Sequence, residues 1–105
     1  YKSEVVASEL SVQRKEIDLD KDWVNLQRKF TDGKVRLEMA QRLVQLQDTK
    51  LLKEKRRYEQ GRSTIFQVLQ FEQDYANAQL LKLRNERELI AIYNQLKLFT
   101  GMIYE

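Results

Sequence analysis

Large apolar residues recur every seven positions through the first half of the chain: Trp23, Phe30, Leu37, Val44, Leu51 and Tyr58. A strict seven-residue period places all six along one seam of a left-handed coiled coil. Leu10, Ile17 and Val24 form a second seven-spaced set, and Val5, Val12, Leu19 and Leu26 a third. The early part of the chain therefore has an apolar surface wider than one seam. The pattern predicts one long helix over about residues 3–60.

Thr31, Asp32 and Gly33 are turn formers. The period nevertheless passes through them without a skip, with Phe30 before and Leu37 after. A loop would reset the register, so the helix is predicted to continue, with Gly33 a weak point of about 1 kcal/mol relative to Ala. Gly61 differs. It follows Tyr58-Glu59-Gln60, where a helix C-cap takes a left-handed residue, and Ser63 or Thr64 stands where the next helix needs an N-cap. A second helix is predicted over about 64–100. Its seam is Leu69, Ala76, Leu83 and Ile90, widened by Val68, Tyr75, Leu89 and Leu96, and Gly101 is expected to end it as a C-cap.

Two helices joined by so short a tip, residues 60–64, pack antiparallel. At 1.5 Å per residue they would be about 87 Å and about 55 Å long. Residues Ser3 to Asp22 would then overhang, although Val5, Leu10, Val12, Ile17 and Leu19 are apolar. An unpaired apolar stretch implies a partner. The expected fold class is all-α: a single unit over 1–105, a long antiparallel coiled-coil hairpin with unequal arms that self-associates into a helical bundle.

Composition narrows the function classes. The 105 residues include no proline and three glycines, and 42% are hydrophobic and 33% charged, the profile of long amphipathic helices. The net charge of +3 comes from interspersed signs, which reads as solvated helix faces and not as a nucleic-acid footprint. There is no cysteine and no histidine, so disulfide and thiolate chemistry are excluded and no metal or cofactor site is expected. No apolar run reaches membrane-spanning length. No signal peptide is recognisable and the chain opens on Tyr1, so an internal or processed piece of a longer protein is expected. No nucleophile–base pair, phosphate loop or metal-ligand spacing is present. An enzyme is not expected, and function should rest on surfaces.

The run from Tyr58 to Gly101 carries a more specific signal. It has a Tyr, two residues and then Gly61 at the tip, followed by Ser63 and Thr64 with Val68-Leu69. The Ala76-Asn77-Ala78-Gln79 stretch and a terminal Leu96-x-x-x-x-Gly101 follow. In these features the chain resembles the last helical hairpin of TolC-like outer-membrane efflux and export factors. The resemblance covers some 44 residues closely and the preceding helix in length and heptad character. It implies a periplasmic α-helical tunnel wall in an outer-membrane protein of a Gram-negative bacterium, homotrimeric in the intact parent. It further implies a periplasmic adaptor (membrane fusion) protein and an inner-membrane transporter as partners, in efflux or type I export. In that family the long helix pairs with a second short helix along its upper half, so Ser3 to Asp22 would be the half whose mate lies elsewhere.

The resemblance also assigns sites. Gln60, Gly61, Arg62, Ser63 and Thr64 would be the adaptor-docking tip. Tyr58, Gln67 and Gln70 match positions of the tunnel constriction. Gln67 and Gln70 stand where the best-studied relative has carboxylates, so a polar constriction is implied here in place of an acidic ring. The bland alternatives are an ordinary turn for the tip and a seam residue for Tyr58. The basic run Lys53, Glu54, Lys55, Arg56, Arg57, joined by Arg62, either faces an acidic partner or is a solvated face. Trp23 is expected at a helix interface. The aromatics Phe66, Phe71, Tyr75, Tyr93 and Phe99 do not share one seam, so part of helix 2 is expected to meet neighbouring hairpins. Two other architectures fit less well. A spectrin-like three-helix scaffold repeat needs a turn near Gly33. An adaptor hairpin has more equal arms.

Overall fold

The computed structural model describes residues 2–104, and side chains within 6–101. It contains two helices, α1 (Lys2–Glu59) and α2 (Ile65–Tyr104), in an antiparallel hairpin. The arms are 58 and 40 residues long, and the molecule extends 89 × 23 × 14 Å. Its radius of gyration is 24.4 Å, against roughly 13 Å for a compact domain of this length.

α1 passes through Gly33 without interruption, so the turn that a three-helix repeat requires is not there. The seam explains the glycine. A Cβ on Gly33 would lie 3.1 Å from Leu89 Cδ1 and 3.8 Å from Ile92 Cδ1. The two helices approach closely there, and a residue without a side chain fits under α2.

The predicted row Trp23, Phe30, Leu37, Val44 and Leu51 does face α2. A second row, three residues on from each, completes the seam: Leu26, Gly33, Ala40, Gln47 and Glu54. The alternating three- and four-residue steps are those of a two-helix coiled coil. Tyr58, the last of the predicted row, is 46% exposed. It stands beside the turn, beyond Glu54, where no turn of α2 covers it.

The seam of α2 is shifted by one residue from expectation. Its inward rows are Val68, Tyr75, Lys82, Leu89, Leu96 and Phe71, Ala78, Asn85, Ile92, Phe99. The predicted row Leu69, Ala76, Leu83 and Ile90 is exposed. Lys82 and Asn85 interrupt the apolar pattern of the true seam, and that made the neighbouring row look like the better one. Gly101 does not cap α2 either. The helix runs on to Tyr104, and Gly61 is the one positive-φ glycine among the described residues.

Four contacts set the register. Trp23 stacks on Phe99 with centroids 5.5 Å apart, and Phe30 meets Tyr93 at 6.1 Å. Gly33 lies under Leu89 and Ile92, and Lys55 pairs with Glu72 at 3.8 Å. This register leaves the start of α1 unpaired. Every residue from Val6 to Asp22 is exposed, including Leu10, Val12, Ile17 and Leu19. Val5, expected in the overhang, lies outside the residues whose side chains are described.

The core is thin. Among the described residues the buried apolar ones are Ala40, Leu51, Val68 and Ala78. The accessible surface is 8896 Å², against roughly 6,200 Å² for a compact monomer of 12.6 kDa. A lone hairpin of this shape leaves much of its apolar surface in water.

Candidate functional site

The tip is built by a glycine turn and its caps. Gly61 has φ 73°, a conformation in which a Cβ would clash with the backbone. It lets Arg62 N donate to Arg57 O at 2.8 Å and Gly61 N donate to Tyr58 O at 3.0 Å. These two bonds form a Schellman motif and satisfy carbonyls that the end of α1 would leave open. Thr64 caps α2: Gln67 N donates to Thr64 Oγ1 at 3.3 Å. Of the two expected N-cap candidates, Thr64 takes the role.

Ser63 does something else. Its hydroxyl donates to Glu54 Oε1, and Arg57 Nη1 lies 3.5 Å from the other carboxylate oxygen, Oε2. Glu54 is 5% exposed, so α2's approach buries a carboxylate on the seam and the tip supplies its partners. The same Ser63 Oγ lies 3.0 Å from the Gln67 side-chain amide. The Gln67 atom there is the acceptor Oε1, so the one hydroxyl proton of Ser63 faces two acceptors, of which the Glu54 carboxylate is the stronger. Glu54 and Ser63 thus tie the last turns of α1 to the start of α2. Glu54 was not among the expected site residues. Its place in the three-and-four spacing from Leu51 was the available signal, masked by the basic residues around it.

Gln60, Gly61, Arg62 and Thr64 are exposed together at the end of the rod, with Ser63 half-buried. Arg57 Nη2 reaches Arg62 O at 3.4 Å. Lys53, Lys55, Arg56 and Arg57 are all exposed, while Glu54 within the same run points into the seam. Gln67 and Gln70 are exposed on α2, and Gln70 Nε2 donates to Asp74 Oδ1 at 3.1 Å. Tyr58 is not joined to them by any hydrogen bond among the described residues.

The two broad sides of the hairpin differ. The Lys55–Glu72 pair joins residues that each follow a seam position, and so marks one side. Next to Glu72 on that side run Leu69, Ala76, Leu83 and Ile90, with Tyr93 also exposed. The other side carries a groove lined by Lys29, Asp32 and Arg36 of α1 and Glu88, Ala91, Ile92 and Gln95 of α2. Gln67, Asp74 and Leu81 precede Glu88 and Gln95 in the same seven-spaced row. One side thus carries an apolar row beside Glu72, Gln79 and Glu86, and the other is polar except at Leu81 and Ile92. Phe66, 79% exposed, and Leu98, 70% exposed, add to the uncovered apolar surface.

Among the described residues no helix is long and apolar enough to cross a membrane. No family model, curated protein or solved structure matches this chain.

Proposed function

We propose that the chain is the tip-bearing periplasmic hairpin of a TolC-like outer-membrane channel for efflux or type I export. In this reading three protomers build a tunnel wall from such hairpins. The tip of Gln60, Gly61, Arg62, Ser63 and Thr64 docks a periplasmic adaptor, and through it an inner-membrane transporter.

One observation carries the reading: the unequal arms leave Val6 to Asp22 bare though rich in apolar residues. A self-contained hairpin has no reason to keep such a stretch, whereas a wall helix with a second mate does. Two further features support it. The outward row Leu69, Ala76, Leu83 and Ile90 offers an apolar edge to a neighbouring hairpin, and in the isolated chain it is the surface for self-association. The polar side bearing Gln67, Gln70 and Asp74 suits a water-filled lumen with an amide constriction.

A photo-crosslinking residue in place of Arg62, in the full gene product expressed in its host, tests the proposal. The expected product joins the chain to a periplasmic protein and fractionates with the outer membrane. Recovery in the cytosol, or a product with a cytosolic protein, would overturn it.

A further inference from the structure

The charged run at the tip changes character when the hairpin forms. Residues 50–67 hold six basic side chains and two carboxylates, while the rest of the chain holds thirteen and fourteen. The whole positive excess of the chain therefore sits at one end of the rod. Of the two carboxylates there, Glu54 is withdrawn into the seam and Glu59 alone stays exposed. Glu54 takes up Arg57, and Glu72 takes up Lys55. Lys50, Lys53, Arg56 and Arg62 are exposed, and no carboxylate lies within ion-pair distance of them among the described residues.

Beside these cations stands Phe66, the second residue of α2 and the most exposed large apolar residue described. Ile65 and Leu69, on the same turn, are exposed as well. A bare aromatic beside a surplus of Arg and Lys is more than a solvated face, because aromatics and Arg are the side chains that anchor protein interfaces. Their placement restricts what can reach them. Phe66 lies two residues before the seam residue Val68, and Arg56 two after the seam residue Glu54. Each therefore points away from the other helix, and the two occupy opposite flanks of the rod. Between them the end itself is polar, from Gln60 to Thr64. A flat bilayer would meet that polar end first. A concave protein surface reaches both flanks.

We propose that the tip is received end-on by a protein surface that is acidic on the Arg56 flank and holds an apolar socket for Phe66 on the other. The inference rests on the proposed function in one respect, that the tip docks a protein. The chemistry of the receiving surface comes from the withdrawn Glu54, the unpaired cations and the bare ring. A neutral or basic surface would leave the cations unmatched or opposed.

A photo-crosslinking residue in place of Phe66, in the full gene product expressed in its host, tests it, with the labelled segment read by mass spectrometry. That segment should carry an excess of Asp and Glu around the apolar residues that take the label. K53E/R56E should lower the yield about tenfold or more. R84E/R87E, the same charge change at mid-rod, should leave the yield unchanged, with equal helicity of both variants by circular dichroism. Lys in place of the mapped acidic residues should restore the label to K53E/R56E. A neutral or basic segment, equal yields from the two variants, or label transferred to lipid or to a second copy of the chain would overturn the inference. Label from position 62 but none from 66 would overturn it and leave tip docking standing. No label from either position would overturn both.

Discussion

Leu89 of α2 lies directly over Gly33 of α1, and a Cβ on the glycine would come within 3.1 Å of Leu89 Cδ1. The glycine allows the close approach and also weakens the helix that carries it. Gly33→Ala removes a helix penalty of about 1 kcal/mol and pushes only the end of a flexible side chain. The expected result in thermal unfolding is a change within about 1 kcal/mol of zero. Gly33→Leu has no room, and overpacking should lower stability by about 1–3 kcal/mol. A Leu variant as stable as the native chain would contradict the close approach.

The Trp23–Phe99 stack, at 5.5 Å between centroids, closes the upper end of the paired region. Phe99→Ala removes a large seam side chain and a ring contact, and should cost about 2–4 kcal/mol of stability there. Trp23 would then lose its covering ring. The check is a red shift of tryptophan emission together with faster amide exchange in the last turns of α2.

Burial of Glu54 depends on Ser63. Ser63→Ala leaves the carboxylate with Arg57 alone and should destabilise the hairpin by about 1–3 kcal/mol. Glu54→Leu removes the carboxylate and its need together, so Ser63→Ala in that background should be close to neutral. Denaturant unfolding of the two single variants and the double variant gives the coupling.

Gln47 is the opposite case on the same seam, because its Oε1 is buried with no hydrogen-bond partner. Gln47→Leu should raise stability by about 1–2 kcal/mol. An unchanged or lower midpoint in urea would show that the amide has a partner after all.

The outward row makes a prediction about association. Leu83 and Ile90 are 44% and 59% exposed and contribute little to the pairing of α1 with α2. Leu83→Glu with Ile90→Glu should leave helicity by circular dichroism unchanged and shift the chain toward monomer in sedimentation. Loss of helicity would place the row in the hairpin core.

Much of this fold was legible along the chain. The seven-residue row from Trp23 to Leu51 identified α1 and its inward face. Gly61 and Thr64 identified the turn, and the mismatch of arm lengths placed the overhang. Each is local or periodic, so each leaves a mark in residue order. Other features were settled only when the helices met. Whether Gly33 breaks or admits depended on what lies across from it, and that is Leu89. Which of two adjacent rows on α2 faces inward depended on α1, because polar Lys82 and Asn85 sit on the true seam and apolar Leu83 and Ile90 sit outside it. Glu54 looks like part of a charged surface run until α2 covers it and Ser63 reaches it. A residue's period is a property of its own helix, but its burial is a property of the pair, and only packing supplies the second helix.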